Sequence, residues 1–546
     1  LPLGGAGEIG MNAYIYGWGR PGRERLILVD LGVTFPDMDT SPGVNLIMPD
    51  ISWLRDNADR LEAIFITHAH EDHVGAIGRL YSQLNAPVYA RPFTAIHAKR
   101  KMEEAGQNPD KIQVIAPYPV GMDAGPFQVS FLPLSHSIPE SAGLIIDTPA
   151  GRLVHTGDFK LDETPVLGDA FDEKLWRNIA GDGIKALICD STNVFSDTPG
   201  RSEASVGPEL VKLVKSAPHM VVATTFASNI ARVKQLAEAG IAAGRSVCLL
   251  GRSMQRMVLV GRESGILSDF PTITPVEDAR DIPRENLMLL VTGSQGERRA
   301  ASAQLSRGKY LGLELAEGDM FLFSSKTIPG NERGVARIMN AYSEMGVDVV
   351  AESPLYHVSG HANRPDLVRV HDILNPEMVI PMHGEHRHLR EHARLARDNG
   401  RASMVVVNGA VCDLTGNAPH VVEHVEADRV YLDGSVLIGA LDGVVRDRIR
   451  MALNGHVMVS VLVENDEPLG DSWVEIMGLP ELGNSRAALA EVLEEDLNQF
   501  LMRAANKTLR DDSKLGEELR RIVRKTTQNE IGHKPEVTVV VSRLEG

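Results

Sequence analysis

Four metal-ligand side chains fall within six positions, His68-x-His70-x-Asp72-His73, directly after the apolar run Ala63–Thr67. If that run is a strand and a helix follows over Val74–Gln83, the connecting loop must carry all four side chains. In an extended loop, residues two apart share one face, so His68 and His70 can grip one ion. Asp72 and His73, at the turn into the helix, can point at a second ion beside it. Imidazole plus carboxylate without thiolate suits Zn²⁺, with Mn²⁺ as second choice. A lone His-x-His is usually a surface accident, but four ligand types in six positions behind a strand are much harder to assign to chance.

Three further ligand types follow apolar runs elsewhere. His136 lies in Leu134-Ser135-His136-Ser137, Asp158 in His155-Thr156-Gly157-Asp158, and His383 in Pro381-Met382-His383-Gly384. Each alone reads equally well as an ordinary loop residue. In this order, after the first cluster, they fit a dinuclear site.

The rest of the chain frames that site. Leu26–Val29, Val88–Ala90, Gln128–Leu132, Gly143–Asp147 and Leu153–Thr156 read as strands bounded by turn residues, with a hairpin turn at Ala150-Gly151. From about Gly207 the rhythm lengthens into strand–helix units, including Met220–Thr225, Ile230–Ala239, Ser246–Leu250, Leu287–Thr292, Met320–Ser324 and Gly334–Met345. That is the pattern of an inserted doubly wound unit. His-rich chemistry resumes at Leu355–His388, so the first domain's chain is expected to return there. A turn-rich stretch around Leu432–Asp447 leads into a strand–helix–strand tail without a ligand cluster. The expected division is 1–205 and 349–425 for the metal-binding domain, 206–348 for the insertion, 426–449 for a linker and 450–546 for a small α/β assembly domain.

Composition sets limits on function. A formal net charge of −17 over 546 residues argues against a general nucleic-acid coat protein. It leaves room for a nuclease, which needs positive potential only along its channel. The three cysteines, Cys189, Cys248 and Cys412, cannot pair fully and have no CxxC spacing, which suits a reduced, cytoplasmic setting. No apolar run reaches the roughly 20 residues needed to span a bilayer. Residues 1–12 show no basic n-region or cleavage signature, so no secretory signal is expected.

The ordered set of ligands resembles the metallo-β-lactamase superfamily, and the insertion before His383 resembles its β-CASP branch. Within that branch the chain is similar to the bacterial ribonuclease J family along essentially its whole length. Gly4-Gly5-Ala6-Gly7-Glu8-Ile9-Gly10-Met11-Asn12, His136-Ser137-Ile138-Pro139-Glu140-Ser141, Ser359-Gly360-His361-Ala362 and Pro381-Met382-His383-Gly384-Glu385 carry the likeness. The resemblance implies an α/β fold: an αββα sandwich with an inserted β-CASP domain and a small C-terminal α/β domain. It implies that His68, His70 and His136 hold one zinc, that Asp72, His73 and His383 hold the other, and that Asp158 bridges both. It also implies a single-stranded RNA substrate, 5′→3′ exonuclease action favouring a 5′-monophosphate, endonuclease action, roles in RNA maturation and decay, and homodimers or homotetramers.

Proton transfer falls by the same resemblance to Asp190, in Leu187-Ile188-Cys189-Asp190-Ser191-Thr192, and to His361. For Asp190 the alternative is a carboxylate that orients a metal-bound histidine. Ala227-Ser228-Asn229 joins a strand to a helix N-terminus, where an anion is favoured, although plain N-capping by Ser228 is the competing reading. His357-Val358-Ser359-Gly360-His361-Ala362 offers a second phosphate grip, with Gly360 permitting close backbone approach. Arg245, Arg252, Arg256, Arg298, Arg299 and Arg307 are candidates for an RNA path, each equally readable as surface charge. Other functions compete. A lactonase or thioesterase on the same fold has no use for a domain that clamps a polymer. A decayed scaffold is disfavoured by seven competent ligand positions, and a DNA repair nuclease by a histidine at position 383.

Overall fold

Leu26, Ile27, Leu28 and Val29 are all buried, as a strand with both faces covered requires. They belong to a six-stranded sheet that also contains Ala13–Trp18, Leu61–Ile66 and Val88–Ala90. A seven-stranded sheet holds Phe127–Pro133, Ala142–Thr148, Gly151–His155, Ala186–Asp190 and Met378–Met382 among its strands. Alternate residues of the two sheets meet in one core. Ile27, Val29, Ala63 and Phe65 come from the first, and Val129, Phe131, Leu144, Ile146, Ile188 and Ile380 from the second. The other face of the seven-stranded sheet packs Val154, Leu187 and Val379 against helices through Trp176, Ile179, Leu367, Val370 and Leu395. The computed structural model describes residues 1–544.

The inserted segment builds its own five-stranded sheet, parallel throughout, with Leu287–Val291 and Val221–Thr224 among its inner strands. Val221, Ala223, Val247 and Leu249 face one core. Val222, Cys248, Leu250, Leu289 and Phe321 face another. This two-sided burial explains why its strands read as unbroken apolar runs.

The chain divides into two compact units: residues 1–34 with 48–429, and residues 35–47 with 430 onward. In the second unit the Asn45 amide donates to the Leu432 carbonyl at 2.8 Å and its side-chain oxygen accepts from the Gly434 amide at 2.7 Å. The strand His456–Glu464 is paired on both sides, with Trp473–Met477 and Glu536–Leu544. Val457, Val459, Val461 and Val463 point inward against helices Leu489–Leu501 and Asp512–Ile531. Among the described residues no helix is long and apolar enough to cross a membrane.

Several local expectations shift. The helix expected over Val74–Gln83 begins earlier and is broken into Glu71–Val74, Ile77–Leu80 and the 3-10 turn Tyr81–Gln83. Gly75 and Gly78 let this segment lie against backbone, since a Cβ on Gly78 would meet the Lys101 carbonyl at 2.4 Å. Register pairs Thr148 with Gly151, so the hairpin loop is Pro149-Ala150, one residue earlier than expected. The stretch 432–447 is more ordered than its turn residues suggested. The hairpin Arg429–Asp433 with Val436–Gly439 turns within it, and helix Val444–Asn454 starts there.

Candidate metal centre

Strand ends deliver the ligand-type residues to one place. The loop after Leu61–Ile66 brings His68 and His70, and the short helix Glu71–Val74 carries Asp72 and His73. His136 follows strand Phe127–Pro133, Asp158 follows Gly151–His155, and His383 follows Met378–Met382. Two groups form, each with ligand atoms within 4.8 Å of one another: His68, His70, His136 and Asp158; and Asp72, His73, Asp158 and His383. Asp158 is shared by both.

The spacing suits ions. His70 Nδ1 lies 3.1 Å from His68 Nε2 and 3.1 Å from His136 Nε2. Both Nε2 atoms are 3.9 Å from Asp158 Oδ2. In the second group His73 Nε2 is 3.2 Å from Asp158 Oδ2 and His383 Nε2 is 3.1 Å from Asp72 Oδ2. Nitrogens that share a tetrahedral zinc at about 2.0–2.1 Å sit roughly 3.3 Å apart. Asp158 Oδ1, fully buried, accepts no hydrogen bond, and His383 Nδ1 lies 3.2 Å from it. A buried carboxylate is costly unless a cation, a metal ion or an imidazolium, balances it.

In the first group electrostatics point the same way, whereas in the second the neighbouring carboxylates outweigh burial and raise His73 and His383 above the usual histidine range. Burial and neighbouring imidazoles hold His68 and His136 well below the usual histidine range, and His70, mainly by burial, down to about 4. Neutral imidazole is the form that binds metal. Burial would raise the Asp158 carboxyl, but His383 and His73 outweigh it and keep the group ionised.

An outer layer of residues, most of them assigned no role from the sequence, orients the ligands. Asp30 accepts from His73 Nδ1 at 2.7 Å and is itself held by the Thr67 amide and hydroxyl at 2.7 and 2.9 Å. Thr192 Oγ1 lies 2.9 Å from His383 Nδ1, and His136 Nδ1 donates to the Gly360 carbonyl at 2.6 Å. Asn12 Nδ2 donates to the Asp72 carbonyl at 3.0 Å. A carboxylate or carbonyl behind a histidine fixes its tautomer and ring plane. Asp30 and His383 both adopt left-handed backbone, at φ of 65° and 48°, a strain that persists only where surroundings enforce it. Asp30 was detectable as an acid closing an apolar strand; the others carry no local signal. Glu71, inside the motif, turns away. Both its oxygens contact Lys101 Nζ at 2.7 Å, and His97 and Lys101 overcome the effect of burial to hold its carboxyl down to about 2.

Asp190 and His361 also come together here. Asp190 Oδ2 lies 2.8 Å from His361 Nδ1, and Asp190 Oδ1 lies 3.6 Å from His383 Nδ1. The Asp190 side chain is 1% exposed and the His361 side chain 21%. Burial alone would raise the carboxyl and lower the imidazole. The attraction within the pair outweighs it in both, so Asp190 falls well below the carboxylate range and His361 rises.

The phosphate-grip residues are placed as follows. Ala227, Ser228 and Asn229 precede helix Ile230–Ala242, and the cap is Asn229, whose side chain accepts from the Arg232 amide at 3.0 Å; Ser228 is not the cap. Val358 and Ala362 are buried, whereas His357 and Ser359 are half-buried. Ser359 Oγ accepts from Asn193 Nδ2 at 2.7 Å. A Cβ on Gly360 would sit 2.7 Å from Ser137 Oγ and 2.9 Å from the His136 ring, so the glycine permits approach to a ligand-type histidine. Arg232, fully buried, makes a paired contact to Glu203 at 2.7 and 2.9 Å and donates to the Tyr356 carbonyl at 2.8 Å, just before this loop. Arg245 does not line a path. It is buried and donates to the His219 and Ala217 carbonyls, each at 2.6 Å. Arg256 pairs with Glu104 at 2.8 Å. A separate buried trio, Cys189, His371 and His392, also lies within 4.8 Å. Its two rings are within 8° of parallel and meet through Nε2 atoms 3.1 Å apart, the geometry of an N–H···N bond.

The fold and the paired His/Asp groups define a metallo-β-lactamase-type, divalent-metal hydrolase with an inserted β-CASP domain. Residues 7–221 match the metallo-beta-lactamase superfamily and residues 218–342 the ribonuclease J beta-CASP domain. Residues 346–407 match the Zn-dependent metallo-hydrolase RNA specificity domain and residues 443–544 the ribonuclease J C-terminal domain. The chain is 40% identical to a ribonuclease J of Sinorhizobium meliloti, over 100% of this chain and 97% of that one. It is 34% identical to the ribonuclease J of Mycolicibacterium smegmatis, over 99% and 96%. A crystal structure of an Enterococcus faecalis protein of unknown function shares the fold, with a TM-score of 0.53 at 16% identity over 77% of this chain and 98% of that one. The chain belongs to the ribonuclease J family. That membership makes it a metal-dependent nuclease acting on RNA and sets aside the lactonase or thioesterase alternative.

Proposed function

We propose that this chain is a two-zinc ribonuclease that trims RNA from a 5′-monophosphate end and also cuts internally, in RNA maturation and mRNA decay in the cytoplasm. The observation that supports it most is the sharing of Asp158 between two ligand groups, beside the Asp190–His361 pair. In this reading His68, His70 and His136 hold one ion, Asp72, His73 and His383 hold the other, and Asp158 serves both. Bound there, the ions would activate water and offset the charge that builds on the phosphoryl oxygens.

The chain's own residues do the remaining work. Asp30, Thr192 and the Gly360 carbonyl keep the ligand rings in one orientation. Hydrolysis forms a new P–O bond to water and breaks the bond to the leaving 3′-oxygen, which must gain a proton. His361, held through Nδ1 by Asp190 and partly exposed, supplies that proton, and Asp190 stabilises the imidazolium that precedes transfer. Ser228 with Ala227 and Asn229, and the loop His357–Ala362, position the RNA backbone. The domain division is 1–205 with 349–425, 206–348, 426–449 and 450–546. Assembly as a dimer or tetramer would use the last of these. Trp473, Met477, Leu462, Val540 and Leu544 are exposed on strands of its one sheet, and the register places them on the face away from its helices.

The test compares hydrolysis of one RNA bearing a 5′-monophosphate or a 5′-triphosphate, before and after metal removal and restoration with zinc. The expected result is faster loss of the monophosphate form, abolished by chelation and recovered with zinc. Equal rates with internal products only would leave the endonuclease reading alone. Activity that survives complete metal removal would sink the proposal.

A further inference from the structure

The small unit that carries the C-terminal domain has two unlike faces. One is the sheet face just described, which exposes Trp473, Met477 and Leu462 among polar residues. The other belongs to the long helix Asp512–Ile531, which buries Leu515, Leu519 and Val523 against the sheet. Its opposite stripe is basic, with Arg520, Arg521, Arg524 and Lys525 at helical spacing. Lys534, just past the helix end, joins them around an open groove of about 690 Å³, whose far end is lined by the carboxamides of Gln528 and Asn529.

Carboxylates neutralise only part of this stripe. Arg521 pairs with Glu518, and Arg524 lies 3.9 Å from Glu536. Glu536 is shared, since Arg450 approaches it at 3.0 Å. Glu517 lines the groove at one end. Among the described residues, Arg520, Lys525 and Lys534 have no ion-pair partner. Such a concentration of cations stands out in a chain of net charge −17. Unpaired like charges side by side repel, and they are tolerated when a polyanion is to be met.

We propose that this groove is a docking site for the phosphate backbone of single-stranded RNA, separate from the metal centre. The inference rests on the nuclease reading for the identity of the polyanion. From Glu517 to Gln528 the helix face runs about 16 Å, room for roughly three consecutive phosphates. Arginine and lysine bind phosphate oxygens without reading sequence, and the two carboxamides add neutral donors. A second copy of this chain is the competing occupant, but the sheet face with its exposed Trp473 and Met477 is the better candidate for that role.

The test uses the full-length chain and the triple variant Arg520→Glu/Arg524→Glu/Lys525→Glu. Binding of a labelled RNA of about 24 nucleotides is followed by fluorescence anisotropy over a salt series, alongside hydrolysis of an RNA of about five nucleotides, about the length that a single site covers. The variant is expected to bind the long RNA at least tenfold more weakly. Its log–log salt slope should be shallower by about two, near 0.7 for each lost phosphate contact. Hydrolysis of the short RNA should be unchanged. Unchanged affinity and slope would overturn the proposal. So would dissociation of the oligomer in light scattering with per-protomer RNA affinity intact, which would assign the groove to contacts between copies. If the wild-type chain cleaves neither RNA, the nuclease reading fails separately, and the anisotropy still decides the groove.

Discussion

Two aspartate–histidine pairs in this protein have nearly the same length and different surroundings. Asp30 meets His73 Nδ1 at 2.7 Å, and Asp190 meets His361 Nδ1 at 2.8 Å. In the first pair both side chains are 1% exposed; in the second the histidine is 21% exposed. The carboxyl of Asp30 is raised, because burial outweighs His73 and the donors from Thr67. That of Asp190 is driven well below its usual range, because His361 and His383 outweigh burial. A sealed pair can only orient its histidine toward an ion. A pair with an open side can also hand a proton to something outside. Distance alone does not distinguish the two; access does.

Substitution at each carboxylate tests this contrast. Asp190→Asn is expected to lower kcat by about 10²–10⁴ with two zinc ions still bound, as measured by steady-state kinetics and metal analysis of the same sample. Asp30→Asn is expected to weaken zinc binding by about 10–100-fold, with activity recovered by excess zinc. If zinc rescued Asp190→Asn and not Asp30→Asn, the roles would have to be exchanged.

A third buried pair joins two histidines, His371 and His392, with no carboxylate between them, and sharpens the comparison. Burial lowers His392 to about 4, and burial with its neighbour places His371 well below the usual range. The folded chain therefore keeps both neutral where the unfolded chain, near 6.5, binds protons. Their stabilisation is complete above about pH 6.5 and is lost as pH falls toward 4. Each extra proton taken up by the unfolded chain costs about 1.4 kcal/mol per pH unit. Urea midpoints should decline across that window, and more gently in His371→Gln/His392→Gln than in the wild type. Equal declines would mean that this pair does not titrate on unfolding.

The sequence was most legible where neighbours in the chain are neighbours in space. His68 to His73 announced a metal site because the ligands share one loop. The inserted parallel sheet showed itself through apolar runs such as Leu287–Val291. Asp30 showed only as an acid closing an apolar strand, and Thr192 and Asn12 not even so, because each acts across a fold assembled from distant strands. Gly360 was expected to admit a phosphate, and its missing Cβ also makes room for His136 and Ser137, a need that no local pattern announces. Arg245 read as a surface cation, and only tertiary packing revealed that it is spent on buried carbonyls.

The ligand-type residues also differ greatly in position along the chain, from His68 to His383, with the whole inserted domain synthesised between Asp158 and the last of them. The strand pairing of Ala6–Gly7 with Gly384–Glu385, and the Asn408 carboxamide oxygen that accepts from the Ala6 amide at 3.0 Å, close the fold later still. At ~5–20 residues per second, a ribosome needs on the order of ten seconds or more to pass from the first half of this centre to the second. During that interval the growing chain holds an incomplete centre, so the late strand Met378–Met382 and not the early loop decides when the centre is whole.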